Sequence, residues 1–259
     1  MKWLSKLAAS RLAPVYVPVL ILAVWQLLGQ LGYISTRTLP TPLAVAEAGI
    51  SLVRSGDIFL YIWDSTRRAF IGLFIGGGIG FALGLLNGMS AGANRLLDST
   101  LQMIRNVPHL ALIPLVIIWF GIDETAKIFL VALGVFFPIY INTLHGIRSI
   151  DPGLVEMSKV YGLKGFSLYW EVILPGAVSS ILVGLRYALG FMWLTLIVAE
   201  TISADSGIGY MAMNAREFMR IDIVVFAILL YALLGKLSDS AAKWLESRLL
   251  QWNPNYAKQ

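Results

Sequence analysis

No cysteine occurs in the 259 residues. Disulfides, thiolate nucleophiles and cysteine-based metal sites are thereby excluded. Histidine occurs only twice, at His109 and His145, and neither has a carboxylate beside it. A metal centre is therefore not indicated. Charge is scarce as well: Asp, Glu, Lys and Arg make up 14%, against about 25% in a soluble domain. So few charges cannot cover a water-soluble surface. The net charge is +5, yet no basic run reaches four residues, so nucleic acid is not indicated as a partner. Neither a zinc-protease HExxH nor a phosphate-binding GxxxxGK[ST] is present, and the glycines do not spell GxGxxG. A GxSxG match at Gly88–Gly92 follows a membrane helix, whereas a nucleophile elbow needs a strand before its serine. Catalytic sets and cofactor sites are thus absent from the reading.

What is abundant is apolar. Hydrophobic residues make up 58%, and the mean hydropathy is +0.75. The chain reads as an all-α polytopic membrane protein. A bilayer core of about 30 Å needs about 20 helical residues, so long gaps between charges mark the spans. Six are expected, at about 15–31, 69–88, 101–123, 128–145, 177–199 and 221–237. Lys2, Lys6 and Arg11 could head a signal peptide, but Pro14, Pro18 and Trp25 in the apolar run favour a retained helix. Leu39-Pro40-Thr41-Pro42 interrupts helix, and Leu43 to Arg54 reads as a short amphipathic helix along the membrane surface. With both termini cytoplasmic, inner segments hold 12 Lys and Arg and outer segments 7, which favours that orientation. The expected organisation is a first span within 1–36, an extracytoplasmic loop at 37–64, a five-helix core at 65–245 and a cytoplasmic tail at 246–259.

The second span carries Gly72, Gly76, Gly80, Gly84 and Gly88, every fourth residue, which makes one smooth helix ridge. Each glycine costs about 1 kcal/mol against alanine in a helix. Close approach of another helix is the reason to keep them, either inside one subunit or at a subunit interface or moving pathway. The third and fourth spans contain Asn106, Pro108, His109 and Pro114, then Pro138 and Asn142. Kinked helices of this kind either line a cavity or simply pack. No Asp or Glu falls deep in a span, which argues against a proton-driven carrier.

Between the fourth and fifth spans lies the longest inner loop. Asp151-Pro152 is a helix start, Gly162 a helix stop, and Ser167–Ile173 restarts a helix. Glu156, Gly162, Val172, Leu174 and Pro175 have the spacing of the EAA loop, and the segment resembles the coupling loop of ABC-importer permeases. Met157 and Ser158 depart from the two alanines of that pattern. Asn106–Leu115, Trp119–Glu124, Phe137–Thr143, Ala199–Ser203 and Ser206–Tyr210 are similar to the permease group for aliphatic sulfonates, taurine and nitrate. With Trp252-Asn253-Pro254 added, the aliphatic-sulfonate members resemble it most.

The resemblance implies a type I importer permease fold in the bacterial inner membrane. It implies two copies of the chain, two cytoplasmic ATPase subunits and an extracytoplasmic binding protein. ATP hydrolysis would belong to the partner, so the chain itself would not be an enzyme. Asp151, Pro152, Glu156, Met157, Ser158, Gly162, Val172, Leu174 and Pro175 would couple it to the ATPase. A translocation pathway is expected along Asn106, His109, Asn142, Arg186, Trp193 and Glu200. Within the fifth span, Arg186, Gly190, Trp193, Ile197 and Glu200 share a helical face. Counted from Ala177, Arg186 lies about 14 Å into the membrane, where it either attracts an anionic cargo or caps backbone carbonyls. Taurine, nitrate or another small solute is the alternative cargo, and a self-contained secondary carrier the alternative class.

Overall fold

A computed structural model describes residues 13–252. Lys2, Lys6 and Arg11, used above for orientation, and Asn253-Pro254 lie outside the described residues. Along the chain run α1 (Ala13–Gln30), α2 (Pro42–Ser55), α3 (Asp57–Met89), α4 (Ala91–Arg105), α5 (Ile113–Phe120), α6 (Glu124–Arg148), α7 (Pro152–Val160), α8 (Gly165–Leu168), α9 (Leu174–Ser203), α10 (Ile208–Glu217) and α11 (Ile221–Leu249). A 3-10 turn, His109–Leu112, precedes α5, and a π-helical turn, Tyr169–Ile173, joins α8 to α9. Among the described residues, four stretches are long and apolar enough to cross a membrane: α3, Gly165–Ile202, α6 and α11. α1 is apolar but shorter over its described length.

The expected third span is broken. α4 and the His109–Phe120 stretch meet at 80°. Pro108 lacks an N–H and disfavours helix at Val107, so α4 ends at Arg105 and the chain turns before the 3-10 segment. α4 is amphipathic and buries no residue in this chain.

The second span also differs. It starts at Asp57, directly after Gly56 in the left-handed region (φ +85°), and not at Ala69. Arg67 and Arg68 are therefore inside the helix. The organisational boundary at 64/65 cuts across α3, and that at 245/246 cuts across α11. Charges mark membrane boundaries only while they face water, and Arg68 does not.

The glycine ridge explains the central packing. α3 and α6 run parallel, and Gly72, Gly76, Gly80, Gly84 and Gly88 meet Val131, Ala132, Phe136, Thr143 and Ile147 in order. A methyl group at Gly76 would fall on the Ala132 carbonyl; at Gly80 it would lie 2.5 Å from the Phe136 carbonyl oxygen. Backbone thus touches backbone, which is how apolar helices gain attraction where no water drives them together. The ridge packs inside the subunit. α9 lies antiparallel on the other side of α6, where Gly184 admits Asn142 and Pro138. Met192, Leu196, Val135, Ile208 and Tyr231 close the core among α6, α9, α10 and α11. The bundle has two ends: one carries α7 and the other carries α10.

Candidate functional site

At the α7 end the local sequence builds a helix with defined limits. The Asp151 side chain accepts a hydrogen bond from Gly153 N at 2.8 Å, and Pro152 sits where no donor is needed. At the other limit Gly162 adopts φ +91°. Leu163 N donates to Ser158 O at 3.1 Å and Gly162 N to Lys159 O at 3.0 Å, the paired bonds of a Schellman stop. No neighbour comes within 4 Å of a Cβ built on Gly162, so backbone conformation alone demands the glycine.

The two halves of the loop behave differently. Ser158 turns inward, buried, its Oγ donating to Leu154 O at 2.7 Å. Met157 turns outward, and Val160 and Tyr161 stand 87% and 81% exposed. Glu156 is exposed beside them and has no partner among the described residues. The second half ties back into the bundle. Val172 packs against the buried cluster of Ile147, Leu168, Ile173 and Ala177. Leu174 faces the side chains of Leu85, Ile147 and Tyr169 around a small apolar cavity, and Pro175 opens α9. One helix is thus offered outward on an anchored base.

The six residues expected to share a pathway do not come together. His109 and Asn142 do: both line a cavity of about 320 Å³ between the α4–α5 bend, α6 and α9, with Arg105, Tyr187 and Phe191. His109 Nε2 is 3.0 Å from Thr195 Oγ1, and Gly134 leaves room for that pair. Asn106 ends α4 and is exposed, outside that lining. Arg186 is elsewhere. Its Nε donates to Asp239 Oδ1 on α11 at 2.5 Å, so it neither caps backbone nor stands free. Trp193 is buried and donates from Nε1 to Ser238 Oγ at 2.8 Å. Glu200 is fully buried at the α10 end. Helical spacing put these residues on one face correctly, but the neighbours of that face change from α11 near Arg186 to a polar core near Glu200.

That polar core escaped the sequence reading. Glu200 accepts from Ser65 Oγ (2.8 Å), Arg68 Nη1 (2.8 Å), Tyr231 OH (2.9 Å) and Gly209 N (2.9 Å). Arg68 also donates to Glu124 Oε1 at 2.6 Å and to Ser206 O and Oγ, both at 2.7 Å. Lys127, buried, bridges Glu124 at 3.3 Å and Asp205 at 3.5 Å. A Cβ at Gly207 would collide with Glu200 and Arg68, and one at Gly209 with Glu200. The signal was present in the Ser206-Gly207-Ile208-Gly209 run, whose backbone satisfies this cluster. Read alone, it named no partner.

Comparison with known proteins adds to this geometry. Residues 76–251 match the family described as binding-protein-dependent transport system inner membrane component. The chain is 62% identical to SsuC of Escherichia coli (strain K12), a permease protein named for aliphatic sulfonates transport, over 98% of this chain and 95% of that one. TauC of the same organism, a taurine transport system permease protein, is 33% identical over 98% of this chain and 94% of its own. Among solved structures, an inward-facing MetNI methionine ABC transporter has a chain with TM-score 0.55 and 19% identity, covering 70% of this chain and 92% of that chain.

Proposed function

The chain belongs to the family of inner membrane components of binding-protein-dependent transport systems, and from that premise we propose that it is the permease subunit of an ATP-driven importer for aliphatic sulfonates. The observation that carries the coupling role is the α7 end. An exposed apolar helix, ended by an obligatory glycine turn and seated on an anchored second half, is suited to press into a groove on a cytoplasmic ATPase. Asp151, Pro152 and Gly162 shape the helix, Glu156 and Met157 face the partner, and Ser158, Val172, Leu174 and Pro175 seat it. The α7 end is then cytoplasmic, and the α10 end faces an extracytoplasmic binding protein. ATP hydrolysis resides in the partner, and two copies of this chain enclose the pathway.

The cargo assignment is supported by the contrast between the two Escherichia coli relatives, 62% against 33% identity. Proteoliposomes holding the chain with its ATPase and binding protein test both parts. Uptake of an alkanesulfonate should require internal ATP and the ATPase subunit. Uptake driven by a proton gradient alone would overturn the coupled mechanism, and ATP-driven uptake of taurine in preference to alkanesulfonates would overturn the cargo.

A further inference from the structure

We propose that the cavity lined by Arg105, Tyr187, Phe137, Ile141 and Phe191 is a binding site, within the membrane, for an anion carrying a hydrocarbon tail. The proposal rests on the importer reading and deepens it by placing a cargo-selective step inside this chain. On α6 the lining runs from Leu133 to Asn142. Leu133 is about 14 Å from the start of α6 and Asn142 about 9 Å from its end, at about 1.5 Å per residue. On α6 the lining therefore falls inside the helix, while Arg105 and Val107 enter it from the bend between α4 and α5.

Its charge is uncompensated. Arg186, the cation that spacing alone singled out, is held by Asp239. Arg105 lines the cavity and has no ion-pair partner among the described residues. It stands exposed at the end of α4, so its charge is open to the cavity and is not spent on the bundle. Guanidinium presents a planar fork of donors that matches two oxygens of an oxyanion. The Tyr187 hydroxyl, also without a hydrogen-bond partner among the described residues, is a donor available for a third oxygen.

In the remaining wall His109 and Asn142 already hold partners, Thr195 and Pro138, and the apolar residues select the tail. Phe137, Ile141 and Phe191 are apolar and offer nothing to a bare inorganic anion, whereas they shelter an alkyl chain. A volume of about 320 Å³ lies at the small end of the range of about 300–1,000 Å³ for ligand cavities. A sulfonate head with a short alkyl chain meets all three features: permanent negative charge, three acceptor oxygens and an apolar remainder.

The test uses the assembled permease–ATPase complex in nanodiscs without binding protein, titrated with 1-butanesulfonate by equilibrium dialysis. Saturable binding is expected. Arg105→Gln should weaken it at least about tenfold and Arg105→Lys should recover only part of that loss, because the charge is kept and the donor fork is lost. Ile141→Trp should weaken butanesulfonate more than methanesulfonate, and nitrate should compete poorly with both. The exposure of Arg105 and its lack of partners make these variants compatible with assembly, which the yield of complex checks. A wild-type complex that imports butanesulfonate yet binds none here overturns the site alone. So does an Arg105→Gln complex that binds as wild type, or full competition by nitrate. A complete wild-type system that imports no alkanesulfonate overturns the cargo reading instead.

Discussion

The two ends of the bundle treat their costly groups in opposite ways. At the α10 end Arg68, Lys127 and Glu200 are withdrawn from solvent, and each is paired. At the α7 end Val160, Tyr161, Phe166 and Trp170 stand in the open. Burying an ion costs several kcal/mol unless partners meet it, so the ion cluster at the α10 end is satisfied within this chain, although Phe218 and Met219 beside it stand exposed. Exposed apolar side chains in a cluster ask for a covering surface, so the α7 end is completed by something else. Substitutions in the buried cluster of the α10 end should therefore act on folding, and those on the exposed α7 helix on communication with a partner.

The largest effect is expected from Arg68→Met. It strands Glu200 and leaves Glu124 with weaker company. Removing one member of a buried ion pair costs about 3–5 kcal/mol, so detergent-extracted folded protein should fall severalfold, read by size-exclusion yield. Adding Glu200→Gln should recover part of it, because the stranded charge is gone. If Arg68→Met folds at wild-type yield but fails in transport, the cluster serves function and the contrast between the ends collapses.

Next comes the seam that connects the ends. Gly80→Leu places a side chain against the Phe136 carbonyl, where even a methyl group would lie 2.5 Å away. Overpacking costs about 1–3 kcal/mol and more when backbone must move. Folding yield should drop before oligomeric state changes. Clean conversion to well-folded monomers would show the ridge at a subunit contact and contradict the parallel α3–α6 packing.

Gly162→Val comes third and acts at the α7 end. Its φ of +91° is strained for any side chain and most for a β-branched one, at about 1–3 kcal/mol. The strain is local, since nothing lies near the site. Insertion and yield should hold while ATP-driven uptake falls at least about fivefold, in keeping with a strain of that size at the turn. Wild-type transport would show that the turn does not set the docking helix.

These expectations differ in how far they could be read beforehand. The α7 helix was legible to within a residue or two because its limits are local chemistry: Asp151, Pro152 and Gly162 act through their own backbone. The glycine ridge was legible as a contact but not as a partner, because spacing identifies a face and not what meets it. The buried cluster was not legible at all. Arg68, Glu124 and Glu200 are separated by 56 to 132 residues, and a pair that long-range looks like two unrelated boundary charges. Using Arg67 and Arg68 as a span limit then shortened α3 by three turns. In the third span Pro114 signalled a kink, but it opens α5 and the break falls earlier, at Pro108; the 80° bend follows from how α4 and α5 dock, which no local rule supplies.

The smallest effect is expected from Arg186→Gln. Its place in the membrane follows from its partner. Asp239 lies about 27 Å along α11 from Ile221, at about 1.5 Å per residue, near the α7-end boundary of a core about 30 Å thick. Arg186 is therefore not at the midplane, where counting from Ala177 had put it; the helical run extends back through the π-turn to Gly165, so Ala177 is no boundary. The side chain is 43% exposed, and Asp239 keeps Lys243 at 3.1 Å and Lys236 at 3.8 Å after Arg186 is lost. An exposed ion pair contributes about 0–1 kcal/mol, and the carboxylate is never left alone. Yield should fall slightly and ATP-driven uptake of butanesulfonate should stay within about twofold, in keeping with so small a loss. Arg105→Gln, measured beside it, should lose far more uptake at equal yield. A tenfold loss in Arg186→Gln with Arg105→Gln unaffected would exchange the roles of the two cations and move the anion path from the α4–α5 bend to the α9–α11 side of the bundle.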